Sequence, residues 1–364
     1  MPLHNILVDA REFVSHKKTG IGRFLEGLLG ALTQNYSDIE IILATYCKSA
    51  VPDKLRDKKK LITREVPTSF ISSEKALSDL AKKGAKLFLS PYPKLPLFGT
   101  DCTSVNTVHD VQYLTHPAYR KRYQTFLKRL RLQIALKQSS LTWYDSAWSL
   151  RETEKYIGNI GKSAKVRHLA IDERFRPSET EKNDDVVLEK YQLQSGYIIV
   201  IGNGLPHKNL GVLLRVAKEL PRNLVLLGVS EENRKYWQSR YPDAQTKWIE
   251  YVQDQDVPAI IRKSFCLAQP STTEGYGYPP LEAMASGVPT VVSNIPVLAE
   301  TTGGFALKAD PLDSKAWIDA FASLENKDIY QAQVEKSLKW AEPLRGLRGW
   351  EKHIADIEEL LRDL

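Results

Sequence analysis

The sequence contains few cysteines, and no part of it is a long hydrophobic run. Its three cysteines are Cys47, Cys102 and Cys266. Their scattered spacing matches neither a metal site nor a disulfide framework, which is typical of a protein from a reducing cytosol. No window approaches the ~18 consecutive apolar residues of a membrane span. The first residues lack the basic segment and following apolar segment that mark a signal peptide. These absences disfavour a disulfide scaffold and a transmembrane chain, and they predict a cytoplasmic protein.

Charge is distributed unevenly along the 364 residues. Residues 1–180 contain 30 Lys or Arg and 18 Asp or Glu, whereas residues 181–364 contain 21 and 26. A basic half favours an acidic partner, such as a phosphorylated substrate, an anionic membrane or nucleic acid, although an ordinary lysine-rich surface has the same composition. The content of 42% hydrophobic and 26% charged residues is that of a globular protein, and the length predicts two domains.

Short apolar runs alternate with helical patterns along the whole chain, which predicts an α/β fold with doubly wound parallel sheets. The strand candidates of the first half are NILVD, IEIILAT, KLFLS, VNTV and SSLTWY, and those of the second half are YIIVI, NLVLLG, KWIEYV, SFCLA and PTVVS. We interpret the polar, helix-poor residues 177–187 as a linker. The predicted domains are therefore residues 1–176 and residues 188–335, followed by helices in residues 336–364.

The loop after the strand SFCLA carries a distinctive set of residues, STTEGYGYPPLEAMASGVPT, at positions 271–290. Ligands of open α/β sheets bind beyond the carboxyl ends of the strands, so a site is expected here. Gly275 and Gly277 allow a tight turn, and free N–H groups at the following helix start favour anionic or hydroxyl-rich ligands. Glu274 on the loop and Glu282 in the first helical turn can each accept two hydrogen bonds from a sugar diol. Either glutamate alone could instead be an exposed loop residue or a partner of the helix dipole.

This string resembles the E-x7-E signature of retaining glycosyltransferases of family 4, which typically reads PSxxEGFGLPxLEAMAxGxPVVxS where this chain has PSTTEGYGYPPLEAMASGVPTVVS. The resemblance implies the GT-B fold, in which two Rossmann-like domains face a central cleft and the last helix crosses back to the N-terminal domain. It implies a nucleotide-diphosphate sugar as donor, retention at the anomeric carbon, and no required metal or other cofactor. Glu274 is then expected to bind the donor sugar and Glu282 the ribose. The donor-binding residues of this loop are Glu274, Gly275, Tyr276, Gly277, Tyr278 and Glu282.

The sequence GNGLPHKNLGVLL follows the strand YIIVI and resembles the family pattern G-R-x-x-P-R-K-N, whose arginine and lysine bind the donor diphosphate. Lys208 and Asn209 match this pattern. Asn203 stands at the family's arginine position and brings no charge, so we expect a weaker diphosphate grip or a contribution from His207 or Arg23. From position alone, a lysine at a helix start could also be merely solvated. The donor-binding residues expected here are Asn203, Gly204, His207 and Lys208.

The first half supplies two further candidate sites. The segment TGIGR lies at a predicted helix start and resembles the family's TGIGRY, so Gly20, Gly22 and Arg23 are expected to face the donor phosphate. His109 and Asp110 follow the strand VNTV. The family has HD at this point, beside the donor sugar and the acceptor, although His109 could from position alone be a structural residue. Asp110 is expected to support His109 or to contact the acceptor. The candidate catalytic residues are His109, Lys208 and Glu274.

The segment EYVQDQDVPAIIRKS contains Asp254 and Asp256 in a D-x-D pattern, which invites a metal site. Because acidic residues are favoured at the start of a helix, and an amphipathic helix follows here, we expect no metal. The family has a similar GYVxDEDLPALY. In such enzymes the preceding strand end, here Tyr251 and Val252, lies near the nucleotide base.

Residues 118–137, AYRKRYQTFLKRLRLQIALK, predict a basic amphipathic helix in which Tyr123, Phe126, Leu130 and Ile134 share one face. The pattern favours a helix that packs this face on the core and exposes its charges. It leaves open a contact with an anionic membrane surface. Nucleic acid is disfavoured, because aromatic residues interleaved with basic ones are few elsewhere.

The sequence thus predicts a glycosyltransferase that moves a hexosyl group to a saccharide or lipid-linked saccharide in bacterial cell-surface polysaccharide synthesis. GDP-mannose is the first candidate donor. Lys208 would stabilise the charge that develops on the leaving diphosphate. The expected partners are the nucleotide sugar, the acceptor and an anionic membrane surface. The basic first half of the chain would contact the inner face of that membrane. The alternatives are a nucleotide-sugar epimerase of the same fold, or an inactive nucleotide- or membrane-binding module.

Overall fold

The chain divides into two compact units. A computed structural model describes residues 4–14, 19–36, 39–116, 122–158, 163–178 and 181–363. Unit 1 comprises residues 1–170 and 347–364, and unit 2 comprises residues 171–346. Residues 347–364 therefore belong with the first half of the chain.

Unit 1 contains a seven-stranded sheet in which every neighbouring pair is parallel. The strand order is β3-β2-β1-β4-β5-β6-β7. Successive strands are added toward one edge up to β3 and toward the other edge from β4 onward, as in a doubly wound fold. The strands are β1 His4–Asp9, β2 Ile39–Thr45, β3 Leu61–Glu65, β4 Leu87–Ser90, β5 Thr103–Val108, β6 Leu141–Tyr144 and β7 Ala164–Val166. The helices are α1 Gly20–Asn35, α2 Asp53–Arg56, α3 Phe70–Lys82, α4 Gln112–Thr115, α5 Arg122–Gln138, α6 Ala147–Ile157 and α15 Glu351–Arg362.

Unit 2 repeats this plan with a six-stranded parallel sheet in the order β10-β9-β8-β11-β12-β13, which reverses between β8 and β11. The strands are β8 Ile198–Ile201, β9 Leu224–Leu227, β10 Thr246–Ile249, β11 Cys266–Gln269, β12 Thr290–Ser293 and β13 Leu307–Ala309. The helices are α7 Glu181–Lys190, α8 Gly211–Leu214, α9 Glu231–Arg240, α10 Val257–Arg262, α11 Tyr278–Ala285, α12 Pro296–Thr301, α13 Ser314–Ser323 and α14 Lys327–Ala341.

The helix-poor linker predicted at residues 177–187 is wrong, because α7 begins at Glu181; residues 179 and 180 lie outside the described part of the chain. The polar sequence therefore includes the start of a helix, and this helix packs against α10. Leu188 is buried, and the Asp184 carboxylate forms a 2.5 Å ion pair with Arg262 on α10.

Every strand that is buried along its whole length was predicted from the sequence. β4, β6, β9, β11 and β12 are buried along their whole length, as expected of central parallel strands. The three strands without a sequence prediction are β3, β7 and β13, and all three lie at a sheet edge. Edge strands expose part of their surface and therefore lack a continuous apolar run.

The face of α5 that packs on the core is not the one predicted. Leu132, Ala135 and Leu136 are buried, whereas Phe126 is 61% exposed and Leu130 and Ile134 are also exposed. The sequence offered two apolar faces, and the core took the one formed by the leucines and alanine. The predicted residues 118–121 lie outside the described part of the chain, as does the side chain of Tyr123.

Helix α15 packs within unit 1 against α1. A Cβ on Gly27 of α1 would lie 2.6 Å from the Trp350 ring, so glycine is needed for this close approach. The C-terminal helices are separate: α14 ends at Ala341, and short 3-10 turns precede α15. Among the helices of the described residues, none has both the length and the apolar character required to span a bilayer.

Candidate functional site

The loops that follow β8 and β11 are hydrogen-bonded to each other at the point where the strand order of the unit 2 sheet reverses. The Thr272 amide donates to the His207 carbonyl at 2.8 Å. The Asn209 side-chain amide donates to the carbonyls of Pro270 at 3.0 Å and Pro311 at 2.7 Å. Asn209 has φ +52°, a left-handed conformation that asparagine adopts more readily than most residues. The two loops therefore form one fixed surface at the carboxyl ends of adjacent strands.

A buried ion pair joins these loops. The Lys208 ammonium lies 2.7 Å from Glu274 Oε1, and the two side chains are only 15% and 9% exposed. The same oxygen accepts hydrogen bonds from Ser271 Oγ at 2.7 Å and Gln269 Nε2 at 2.5 Å. Burial alone would raise the pKa of the Glu274 carboxyl, but the Lys208 charge and these hydrogen bonds hold the pKa below its ordinary value. Glu274 is therefore a fixed anion at neutral pH.

Two glycines make room for this arrangement. A Cβ on Gly202 would lie 3.4 Å from the Lys208 methylene carbons, so the lysine stem passes close over bare backbone. Gly204 has φ +73°, and a Cβ there would lie 2.7 Å from Val229. Gly204 thus allows a tight turn, and Gly202 leaves room for the Lys208 side chain.

Asn203, which stands where the family has arginine, shapes the turn. Its Oδ1 accepts a hydrogen bond from the Leu205 amide at 3.1 Å, and its carbonyl accepts one from Asn233 Nδ2 at 2.7 Å. This position therefore supplies no cation. His207 is buried on the same loop and adds to the electrostatic stabilisation of the Glu274 anion.

Helix α11 begins earlier than the sequence suggested. Its N-cap is Gly277, with φ +91°, and its first residue is Tyr278. Glu282 therefore lies beyond the first turn, which contains no acidic residue, and its predicted placement in that turn is wrong. The reason is that the helix begins at Tyr278, one residue before the two prolines. Glu282 is only 3% exposed, so a surface partner of the helix dipole is not its role.

A glycine ends α11. Gly287 has φ +76°, and its amide donates to the Met284 carbonyl at 3.2 Å. The Val288 amide donates to the Ala283 carbonyl at 2.9 Å, which completes a Schellman motif. The helix bearing Glu282 is thus fixed at its carboxyl end.

The remaining donor-site candidates of unit 2 differ in accessibility. Tyr251, just after β10, is 73% exposed, whereas Val252 is buried. Tyr276 is buried and its ring meets that of Tyr278 edge to face, with centroids 5.6 Å apart. Gly275 is buried beside them. Tyr251 is therefore an open aromatic surface, and the Tyr276 pair is part of the loop's packing.

In unit 1 the start of α1 is held by Thr19, the first residue of the TGIGR segment. Thr19 caps the helix by accepting the Gly22 amide at 3.0 Å, and its hydroxyl donates to Glu12. The Tyr92 hydroxyl donates to the other oxygen of Glu12 at 2.7 Å. Glu12 follows β1 and Tyr92 follows β4, so the cap lies at the point where the strand order of this sheet reverses. Gly20 is exposed at this helix start, and Arg23, at the end of the first turn, is half-buried.

His109 follows β5 and is bonded through both ring nitrogens. Nδ1 lies 2.6 Å from the Asp145 carboxylate and Nε2 lies 3.1 Å from the Pro91 carbonyl. Both partners are acceptors, so both nitrogens donate and the ring is an imidazolium. Burial would lower the pKa of His109, but Asp145 raises it above its ordinary value. The carboxylate that bonds the ring is Asp145, whereas Asp110 Oδ1 accepts the Gln112 amide at 2.9 Å.

An aromatic stack connects His109 to α15. The Phe24 ring meets His109 edge to face at 5.1 Å and Trp350 at 5.5 Å. His353 lies 5.0 Å from Trp350 and 4.8 Å from Trp143. Neither ring nitrogen of the buried His353 has a hydrogen-bond partner within the described residues. Burial lowers the pKa of His353 to about 3, so it is a neutral packing residue.

The acids of the D-x-D pattern are both held by neighbouring side chains. Arg174 donates to Asp254 Oδ2 at 2.9 Å. Lys190 and the Tyr191 hydroxyl each donate to Asp256 Oδ2 at 2.8 Å. These contacts attach the start of α10 to α7 and to the segment that enters unit 2.

Four residues of these sites were missed from the sequence: Glu12, Tyr92, Asp145 and Gln269. Asp145 directly follows a predicted strand, as His109 does, and that position was the available signal. Gln269 is a polar residue at the end of an apolar strand. Glu12 and Tyr92 meet only through the pairing of β1 with β4, which no local pattern reveals.

The chain is similar to known proteins over much of its length. Residues 184–340 match the family model described as glycosyl transferases group 1. O-antigen chain mannosyltransferase B of Escherichia coli is 31% identical over 255 residues, which are 67% of this chain and 65% of that protein. O-antigen chain mannosyltransferase RfbU of Salmonella typhimurium is 26% identical over 257 residues, 69% of this chain and 68% of that protein. The chain thus matches about two thirds of the length of these relatives.

The fold has close counterparts among solved structures. HepE of Anabaena, solved in complex with UDP and glucose, superposes with a TM-score of 0.76 at 15% identity, over 98% of this chain and 99% of that one. The predicted fold class, two Rossmann-like α/β domains of the GT-B type, is confirmed.

Proposed function

Because the chain belongs, through residues 184–340, to the glycosyl transferases group 1 family, we propose that it transfers a hexosyl group from a nucleotide-diphosphate sugar to a saccharide or lipid-linked saccharide. The first candidate donor is GDP-mannose, since the two relatives are named as mannosyltransferases of O-antigen chains. The product would belong to a bacterial cell-surface polysaccharide. The transfer would retain the anomeric configuration and use no metal.

The observation that carries this proposal is the contact between Lys208 and Glu274. An ammonium has three N–H donors, and Glu274 takes one of them. The others are available to the oxygens of a leaving diphosphate, where a fixed cation stabilises the charge that develops. Gln269 and Ser271 bond Glu274 only through Oε1, so Oε2 is the atom we assign to the donor sugar. Glu282 is proposed to hold the ribose.

The remaining roles concern the start of α1, His109 and Tyr251. Gly20 is proposed to meet the phosphates through its backbone amide and Arg23 through its cation, whereas the amide of Gly22, the third residue assigned here, is held by Thr19. His109, with a proton on each nitrogen, would act as a positive charge and not as a general base. Tyr251 offers an exposed ring to the nucleotide base. An anionic membrane surface is proposed as a further partner of the basic first half, and nucleic acid is not.

The test is release of nucleoside diphosphate by Lys208→Ala and Glu274→Ala. We expect kcat to fall about 100-fold or more in each, as when one stabilising group of a transition state is removed. The matched control is Arg222→Ala, whose pair with Glu325 has the same 2.7 Å separation but lies at the surface. Folded variants that both retain the wild-type rate would refute this site.

A thermal-shift panel of GDP, UDP and their sugars identifies the donor, because a ligand stabilises the folded state that binds it. An epimerase would convert the nucleotide sugar without releasing nucleoside diphosphate. An inactive module would show binding in the panel but no turnover with any donor. Either outcome would replace the proposed transfer.

A further inference from the structure

Asp145 is a buried carboxylate of unit 1 to which the proposed chemistry gives no role. It directly follows β6, is only 2% exposed, and contacts His109, which directly follows β5. Its Oδ2 lies 2.6 Å from His109 Nδ1. Its Oδ1 is buried and has no hydrogen-bond partner among the residues that the structure describes. The His109 ring is therefore the main partner of this carboxylate within that part of the chain.

Three further elements fix the orientation of the His109 ring. The carbonyl of Pro91, after β4, lies 3.1 Å from Nε2. Ser149 Oγ of α6 donates to the His109 carbonyl at 3.1 Å. Phe24 of α1 packs edge to face against the ring, with centroids 5.1 Å apart. The ring cannot turn away from its two acceptors without breaking this packing.

The fixed orientation determines where protons lie. A neutral imidazole has one N–H group and one nitrogen that only accepts. In this site the accepting nitrogen would face either the Asp145 carboxylate at 2.6 Å or the Pro91 carbonyl at 3.1 Å, and both of these are acceptors. Two buried acceptors that face each other without a proton between them are unfavourable. Only the doubly protonated ring satisfies both contacts.

Few charged or titratable groups act on this ring. Burial lowers the pKa of His109, while Asp145 and the neighbouring Asp110 raise it, with a net increase. His353 of α15 lies behind Phe24, with ring centroids 6.1 Å apart, and it is neutral because burial lowers its pKa to about 3. The groups that α1, α6 and the loop after β4 bring to His109 are an aromatic ring, a hydroxyl and a carbonyl, and none carries a charge. Asp145 is therefore the principal anion beside His109.

We infer that Asp145 is a positioning residue of the proposed transfer, which holds His109 in one orientation as an imidazolium and so maintains a positive charge at the carboxyl end of β5 at neutral pH. The ring then offers the substrate its charge and neither gives up nor accepts a proton during the transfer. The effect on turnover rests on the proposed function. The state of the ring does not, because it can be measured without turnover.

Asp145→Asn tests this pair with little change of shape. The asparagine amide can donate to Nδ1, which the carboxylate cannot. A neutral His109 would then keep both contacts, with Nδ1 accepting from Asn and Nε2 donating to the Pro91 carbonyl. The variant preserves packing and hydrogen bonds and removes only the need for the second proton. Because an opposite charge at this distance raises the pKa of a histidine by about 1–3 pH units, its loss should lower the pKa of His109 by a similar amount.

The first measurement is an NMR titration of the full chain labelled in its histidines. The chain has seven of them, and His109→Gln identifies the signal. In the wild type His109 should titrate above pH 6.5, and in Asp145→Asn about one pH unit lower or more. The matched control is Asp110→Asn, whose carboxylate bonds the Gln112 amide and not the ring, so it should lower the pKa of His109 by less. Titration of the wild type below pH 6.5 would overturn the inference without any variant, and so would an unchanged pKa in Asp145→Asn.

The second measurement is the release of nucleoside diphosphate as a function of pH. If the transfer needs the charged ring, turnover should fall as the pH rises through the pKa of His109. In Asp145→Asn this fall should occur about one pH unit lower or more, which makes the ratio of turnover at pH 6 to turnover at pH 8 about threefold larger, or more, than in the wild type. The matched control is Asp53→Asn, a surface carboxylate of unit 1 that is 87% exposed and should leave the profile unchanged.

Two results of this assay would contradict the inference. One is an equal loss of turnover at every pH, which is what a purely structural defect produces. The other is a change of profile by Asp145→Asn that persists in a His109→Gln background, because Asp145 would then not act through the ring.

Failure of the inference is separable from failure of the proposed function. A wild type that releases no nucleoside diphosphate from any donor would refute the transfer, and the NMR titration would still decide whether Asp145 holds His109 as an imidazolium. Normal transfer combined with the same His109 pKa in wild type and Asp145→Asn would refute the inference alone.

Discussion

Replacing Lys208 with methionine should destabilise unit 2 in a way that depends on pH. Methionine preserves most of the side-chain volume that lies over Gly202 but removes the charge 2.7 Å from Glu274. The carboxylate keeps its hydrogen bonds from Ser271 and Gln269, yet it is left buried without a cation. The perturbation therefore tests the electrostatic part of the pair and not its packing.

The expected loss at pH 7 is about 3 kcal/mol. Breaking a buried ion pair costs about 3–5 kcal/mol, and the lower end applies because Lys208 is 15% exposed and water reaches it. For a unit of this size, the loss corresponds to a decrease in Tm of roughly 6–12 °C. The surface pair of Arg222 and Glu325 has the same separation but is about 40% exposed, so Arg222→Met should cost about 1 kcal/mol or less.

The pH dependence follows from the direction of the Glu274 shift. In the wild type the folded pKa lies below the ordinary value of 4.5, so the pair stabilises the fold above pH 4.5 and is lost as the pH falls through the folded pKa. In Lys208→Met, burial without a cation should raise that pKa above 4.5. The variant then loses stability as the pH rises from 4.5, and the gap to wild type widens.

Calorimetric scans of wild type, Lys208→Met and Arg222→Met between pH 3.5 and 8 measure this gap. The reasoning is refuted if the gap for Lys208→Met is the same at every pH, or if it equals that of Arg222→Met. A loss confined to activity, with no change in Tm, would also contradict a buried charged pair.

Two further changes test the supporting structure. His353→Phe should reduce the loss of stability that occurs between pH 6.5 and pH 3. In the wild type this loss amounts to about 4 kcal/mol, because a neutral buried histidine acquires its proton only below a pKa of about 3. An unchanged slope of the urea midpoint against pH would count against this. Gly277→Ala should cost at least twice as much as Gly304→Ala in urea unfolding. Both glycines have positive φ, for which a side chain costs about 1–2 kcal/mol, but only at Gly277 would the new Cβ lie 2.7 Å from Leu298, while at Gly304 no atom lies within 4 Å. Equal losses would exclude the steric part of this argument.

The central strands and the loops at their ends could be predicted from the sequence because both depend on short-range order. A strand buried on two faces is an uninterrupted apolar run, and the parallel arrangement places the next residues at a known edge of the sheet. Lys208 and Glu274 were found in this way. Their bond, and the part of Gln269 in it, could not be, because it requires the registers of β8 and β11.

His109 illustrates a second limit. Its position after β5 marked it as a candidate, and the adjacent Asp110 was the nearest acidic residue in sequence. The chain places Asp145 against the ring instead, because β5 and β6 are neighbours and their carboxyl ends meet. Neighbours in a sheet, and not neighbours in sequence, determine which charges interact.

Helix α5 shows why an apolar face does not reveal what will cover it. The 3.6-residue period identifies which side chains share a face, but α5 has two apolar faces, and burial follows from which one meets Val108 and Tyr144 on the sheet. The larger face, with Phe126, is left in water, and its flanks are basic. A chain that only had to fold would gain from polar residues there, since exposed apolar area contributes no stability and promotes association. The exposed apolar side chains of α5 and the cations on the same helix are the features on which the proposed contact with an anionic membrane surface rests.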